Sequence, residues 1–159
     1  MNRARDLFLF RLNRLASLAG QPLVRLCEGK YGITRREWRL IVVLAQDGPL
    51  LSTELARRAS IEAALTSRTI TLLVEAGLAT RVPRANDRRF IEIHLTERAR
   101  EIFASLYPTV VSLNERLLSG LSPADIGDLD RLFKLLEEMA PTLAMGTELP
   151  KANRRRAKT

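Results

Sequence analysis

Apolar positions early in the chain recur every three or four residues. Leu12, Leu15, Ala19, Leu23 and Leu26 keep this spacing within residues 6–27, which predicts a helix with one apolar stripe. Gly20-Gln21-Pro22 is a place for a kink, and Tyr31-Gly32-Ile33 ends the pattern. Thr34-Arg35-Arg36-Glu37 has the spacing of a capping box, with Thr34 as N-cap and Glu37 reaching back. It predicts a helix through Trp38, Leu40, Ile41, Val43 and Leu44, stopping near Asp47-Gly48-Pro49. Ser52 stands where it can cap a short helix over 53–59, with Leu55, Ala56 and Ala59 turned inward. Ser60-Ile61-Glu62 then links tightly to a helix over 63–76 whose buried stripe is Leu65, Ile70, Leu73 and Val74. Gly77 falls where a helix C-terminus favours a residue at positive φ. Two short helices joined in this way predict a helix-turn-helix.

The period then changes to two. Leu78, Thr80 and Val82 alternate with Ala79, Arg81 and Pro83, and Ile91, Ile93 and Leu95 alternate with Phe90, Glu92 and His94. With Arg84-Ala85-Asn86-Asp87-Arg88 between them, they predict a β-hairpin with a basic tip. Thr96 caps a further helix through Ala99, Ile102, Phe103, Leu106, Val110, Leu113 and Leu117, which Pro108 is expected to bend. Ser122-Pro123-Ala124-Asp125 starts the last helix, with an N-cap serine, Pro at the first position and an acid at the third. That helix carries Ile126, Leu129, Leu132, Phe133, Leu136 and Met139. The fold class is therefore mostly α with a small β-hairpin. A helix-turn-helix followed directly by a hairpin is a winged helix.

Composition narrows the chemistry. The 159 residues are 46% hydrophobic and 28% charged with formal net charge +8, which excludes a wholly disordered chain. No apolar run approaches the roughly 18–20 residues that span a bilayer, so no membrane partner is expected. Arg11 and Arg14 interrupt the N-terminal apolar stretch, so no signal peptide is expected. A single cysteine, Cys27, makes no internal disulfide, which fits a reducing, cytoplasmic compartment. One histidine and one cysteine leave little for a zinc site. No Ser/His/Asp order, Gly-rich phosphate loop, H-E-x-x-H or paired-carboxylate context appears, so neither an enzyme nor a cofactor is expected.

The charge is unevenly placed. Residues 1–30 carry six basic and two acidic side chains, residues 31–100 twelve and eight, residues 101–150 three and eight, and residues 151–159 five and none. The last stretch, KANRRRAKT, is read as a solvated, disordered tail, serving either as a solubility device or as a non-specific phosphate anchor. Of the 26 basic residues, 22 are Arg and 4 are Lys. Arg pairs with phosphate and guanine in fork geometry, so double-stranded DNA is the first partner to test. In a winged helix the second helix of the pair enters the major groove, and the hairpin can place an Arg in the neighbouring minor groove.

Four runs in register carry a resemblance: Ala64-Leu65-Thr66-Ser67-Arg68, Gly77-Leu78, Pro83-Arg84-Ala85-Asn86-Asp87-Arg88-Arg89, and Ile93-His94-Leu95-Thr96. Together they resemble the MarR family of bacterial winged helix-turn-helix regulators. That family's pattern has a Ser/Thr-Arg pair on the recognition helix, Gly-Leu at its end, a D-x-R wing motif and a closing Leu-Thr. The resemblance is strongest over 34–100. It implies a winged helix-turn-helix DNA-binding domain at 31–100, a helical dimerisation region from 1–30 and 101–145, and a basic tail at 146–159. It implies a homodimeric, sequence-specific regulator that represses from a pseudo-palindromic operator and is released by a small aromatic or phenolic acid. The alternative is a ligand-insensitive winged-helix regulator or a protein-interaction module.

Expected site residues follow. Ser67 and Arg68 are expected to meet base edges, and Ala64 and Thr66 a phosphate, a sugar or a thymine methyl. By family analogy Arg89 reaches the minor groove from the wing and Asp87 orients a basic neighbour, while Arg84 and Arg88 flank it on phosphates. Arg57 and Arg58 read equally as phosphate contacts or a solvated face. Cys27 is favoured as a buried structural residue over a redox sensor. Candidate ligand contacts are Arg14, Trp38 and His94. Trp38 is favoured as packing, and His94 as a surface residue on a strand that borders the family's ligand pocket.

Overall fold

The computed structural model describes residues 3–144. The expected tail at 146–159 lies outside the described residues. Helix α1 spans Phe8–Leu26 and passes into a π-helical turn, Cys27–Tyr31, closed by Gly32 at positive φ. Helix α2 is Arg35–Asp47, strand β1 Leu50–Leu51, helix α3 Ser52–Ala59 and helix α4 Ala63–Glu75. Strands β2, Ala79–Arg84, and β3, Asp87–Leu95, follow, then helices α5, Glu97–Leu118, and α6, Pro123–Met139. The chain divides into two compact units, Met1–Asn114 and Glu115–Thr159.

Local chemistry fixes most boundaries. Thr34 accepts from the Glu37 amide at 3.2 Å while the Glu37 carboxylate accepts from the Thr34 amide at 2.6 Å, so the capping box is complete. Ser122 and Asp125 make the same reciprocal pair at the start of α6. Thr96 accepts from the Ala99 amide and donates to the Gly77 carbonyl, tying the start of α5 to the end of α4. Gly77, at φ 68°, lets the chain turn back so that the Leu78 amide reaches the Leu73 carbonyl. Ser60 closes α3 in the same left-handed conformation, at φ 50°, although it carries a side chain.

Two sequence expectations need correction here. Ser52 is the first residue of α3 rather than its cap: Leu51 occupies the cap position with no side-chain bond, because Leu50 and Leu51 are drawn into β1. The five-residue tip shrinks to Ala85-Asn86, since Arg84 pairs with Asp87 across a register irregularity after Pro83.

The sheet order is β1-β3-β2, antiparallel throughout, with Leu50 opposite Ile93 and Arg81 also opposite Ile93 on the other side. The core of the first unit joins Leu40, Ile41, Leu55, Ile70, Leu73 and Leu106, all essentially inaccessible. Each such leucine or isoleucine contributes about 1.5–3 kcal/mol by leaving water. Cys27 is buried with them, as expected. Trp38 packs in the same core and stacks on Phe103 at 5.8 Å between ring centroids. Gly20 in α1 is buried beneath the Arg35 guanidinium, so close that a Cβ there would lie 2.6 Å from Nη1. The apolar stripe of α1 is otherwise half-buried or open, and Leu7, Phe8, Leu9, Phe10, Leu15 and Leu18 are exposed. In the second unit α6 buries no residue, leaving Leu132, Phe133, Leu135, Leu136 and Met139 exposed.

Candidate nucleic-acid interface

Helix α4 presents two interleaved faces. Positions 66, 69, 70 and 73, at helical spacing, are buried: Thr66, Thr69, Ile70 and Leu73. Positions 64, 67 and 68 lie on the opposite side and are exposed: Ala64, Ser67 and Arg68. Arg68 makes no hydrogen bond or ion pair among the described residues, so its guanidinium is available to a ligand. Thr66 does not share that face. It is 0% exposed, and its hydroxyl donates inward to the Ile61 carbonyl at 3.4 Å. A side chain with no surface cannot meet a phosphate or a base, so Thr66 leaves the expected contact set and joins the core. Its polar type concealed a position in the buried stripe. Thr69 does the same, donating to the Leu65 carbonyl at 2.8 Å.

The hairpin stands next in the chain, and its arginines are unequal. Arg89 is exposed and forked onto Asp87, with Nε to Oδ1 at 3.0 Å and Nη2 to Oδ2 at 2.7 Å. The Arg89 amide donates to the same carboxylate at 3.1 Å. These bonds to Arg89 hold the Asp87 carboxyl below its ordinary range. Arg84 donates through Nε to Glu92 Oε1 at 2.7 Å, and its guanidinium lies 5.7 Å from the Phe90 ring. The Arg84 hydrogen bond likewise holds Glu92 below its usual value. Arg88 is exposed and has no ion pair among the described residues. Arg81 reaches from β2 to α4, donating to the Thr71 hydroxyl at 2.9 Å, and Thr71 donates to the Ser67 carbonyl. No local spacing in the sequence marks a structural role for Arg81 or Glu92. Their partners lie 10 and 8 residues away, and only the strand register brings them together.

Arg57 and Arg58 are both engaged by Glu54, and Arg58 also by Asp47 at 2.9 Å. The hydrogen bonds from Arg57 and Arg58 pull the Glu54 carboxyl down to about 2. Arg57 remains 71% exposed, which leaves its cation open to a further anion while it holds Glu54.

A cavity of about 320 Å³ lies within the first unit, lined by Leu44, Ala45, Gly48, Pro49, His94, Leu95, Arg100 and Phe103. His94 Nε2 is buried at its wall, 3.5 Å from Glu92 Oε2, and makes no hydrogen bond. Of the candidate ligand residues, only His94 lines this cavity. Trp38 is buried and touches it indirectly, through its stack on Phe103. Arg14 is exposed on α1 and is not brought to it. Among the described residues no group of His, Cys, Asp and Glu is arranged to hold a metal ion, and no helix is long and apolar enough to cross a membrane.

Known proteins agree with this architecture. Residues 31–89 match the sequence profile of the MarR family. The HTH-type transcriptional regulator FarR of Neisseria gonorrhoeae is 32% identical over 74 residues, 46% of this chain and 51% of its own, so the chain spans about half the length of that relative. Among solved structures, Sco3205 of Streptomyces coelicolor, a MarR family regulator in complex with DNA, superposes with a TM-score of 0.76 at 23% identity, covering 88% of this chain and 94% of its own. BpsR of Bordetella bronchiseptica, whose DNA binding is regulated by 6-hydroxynicotinic acid, superposes with a TM-score of 0.76 at 16% identity, covering 87% and 98%. Identities of this size show a shared fold. The profile lies over the helix-turn-helix and hairpin that carry Arg68 and Asp87-Arg88-Arg89, so residues 31–89 are similar to the MarR family, and the chain shares the winged-helix fold of its solved members.

Proposed function

We propose that this protein is a DNA-binding transcriptional regulator that reads a pseudo-palindromic operator as a homodimer and represses from it. The observation that carries the reading is the exposed face of α4: Ala64, Ser67 and the unpaired Arg68 stand together on a helix whose other face is core. Arg68 is assigned to guanine O6 and N7, a contact worth about 1–3 kcal/mol of discrimination. Arg88 and Arg89 act from the wing, Arg89 in the minor groove with Asp87 orienting it, and Arg84 stands beside the phosphates that flank it, held by Glu92. The dimer is supported by α6, which has an apolar face and buries none of it, and by the exposed apolar residues of α1. Within this reading residues 31–100 bind DNA, and 1–30 with 101–145 associate. A protein-interaction module explains the fold equally well but gives no use to a wing with Arg81, Arg84, Arg88 and Arg89.

A small aromatic acid is the proposed effector. The cavity is at the lower end of small-molecule sites; Phe103 offers a ring, and Arg100 and His94 offer donors to a carboxylate. The test is selection of bound duplexes from a random library by the full chain. An inverted repeat with half-sites about one helical turn apart is expected. Arg68→Ala then weakens binding to the selected operator about 10-fold or more, and to random duplex much less. No enrichment, or equal loss on operator and random DNA, overturns the assignment.

A further inference from the structure

Glu92 divides its carboxylate between two places. Oε1 accepts from the wing guanidinium of Arg84 at 2.7 Å, and Oε2 faces His94 Nε2 at 3.5 Å. The Glu92 side chain is only 20% exposed, whereas that of Arg84 is 43% exposed. The Phe90 ring lies against the same guanidinium, so Arg84 is held by a carboxylate and an aromatic ring. Arg88, on the same hairpin, is held by neither. To engage a phosphate in full, Arg84 has to release Glu92, or carry its negative charge toward the DNA. At the other end His94 Nε2 is buried with no hydrogen bond of its own, so as an N–H it is placed to donate to Glu92 Oε2. Arg100 also lines the cavity, and it pairs with Glu97 at 3.0 Å.

We propose that Glu92 is a positioning residue that restrains Arg84 from DNA phosphates and ties that restraint to the His94 wall of the cavity. The inference rests on the DNA-binding reading above. It makes the strength of non-specific binding a property set by a residue that never touches DNA. It also gives the cavity a route of two polar contacts to the wing, carried on alternate residues of one strand.

The experiment measures binding of the full chain to the selected operator and to random duplex between 50 and 200 mM salt. Wild type is compared with Glu92→Gln, Arg84→Gln and the double variant. Glu92→Gln keeps the size of the side chain but removes the charge that holds the Arg84 guanidinium. One released Arg adds one phosphate contact, so the log–log salt slope of Glu92→Gln steepens by about 0.9, an extra loss of about 3.5-fold across that salt range. In the Arg84→Gln background the same substitution leaves the slope unchanged. A slope that Glu92→Gln does not steepen, or steepens equally without Arg84, overturns the restraint. His94 is the one histidine of the chain, so its imidazole resonance is read alone by NMR. Arg84→Gln is expected to move that resonance in the absence of DNA, and an unmoved signal overturns the link to the cavity. Failure of wild type to bind any duplex instead counts against the DNA-binding reading, and the resonance still decides the coupling.

Discussion

Thr66 separates a core role from a DNA-contact role with two substitutions. Thr66→Val keeps the branched shape and replaces the hydroxyl by a methyl. Thr66→Ser keeps the hydroxyl and removes a methyl. The hydroxyl is fully buried and has one long hydrogen bond, 3.4 Å to the Ile61 carbonyl. Its net worth is at the weak end of the range, about 0.5 kcal/mol, and its removal also relieves the cost of burying a polar atom. Thr66→Val is therefore expected within about 0.5 kcal/mol of wild type. Thr66→Ser takes a methyl from a site without solvent access, costing about 0.8 kcal/mol of transfer plus a small cavity term, about 1 kcal/mol in all. For a chain of this size that lowers Tm by about 2–4 °C. Thermal unfolding by circular dichroism and fluorescence anisotropy on a labelled operator give the two readouts. Both variants should bind DNA within about twofold of wild type, since a change of 0.4 kcal/mol or less is expected at the interface. A Thr66→Val protein that is as stable as wild type yet loses DNA tenfold, while Thr66→Ser retains it, would refute the burial argument.

Two further outcomes follow from the electrostatics. Burial and the neighbouring Glu28 push the Cys27 thiol from 9.0 up to about 11, so at pH 8 the folded protein should react with a disulfide reagent about a hundredfold more slowly than the denatured chain. Equal rates would show that the thiol is open. Glu54 is held at about 2, against an ordinary 4.5, by Arg57 and Arg58. A lowered carboxylate stabilises the fold above its unfolded value and loses that contribution as pH falls through the folded one. Glu54→Gln is thus expected to flatten the Tm curve between about pH 4.5 and 2, by a small amount because the group is at the surface. A curve as steep as that of wild type in this window would remove Glu54 from the account.

The sequence announces its helix ends most clearly. Thr34 with Glu37, Ser122 with Asp125, Thr96 and Gly77 are chemical signals that act within three or four residues, and each has its expected role. Period-two alternation found the hairpin for the same reason. What escaped depends on distant partners. Strand β1 has two residues, too few to show a period, and it exists because Ile93 and Glu92 offer an edge. The buried Thr66 and Thr69 look like surface residues until the packing of α4 is known. The Arg84–Glu92 pair depends on a register irregularity that no spacing rule supplies. The π-helical turn at Cys27–Tyr31 likewise has no composition that marks it. The exposed stripes of α1 and α6 were legible as apolar faces, but not as faces left open within one chain.

The small sheet leaves much of its border unpaired. β2 has a partner on one side only, and β1 covers β3 only opposite Ile93 and Glu92. Beside those bare edges Val82, Phe90 and Ile91 are exposed, the composition that invites a strand from another molecule to add on. Pro83 lacks the N–H that such a ladder needs, and Arg81, Arg84, Arg88 and Arg89 place like charges wherever two hairpins would align. The wing arginines therefore also oppose the annealing of one hairpin to the next, and replacing several of them together is expected to promote aggregation through the wings.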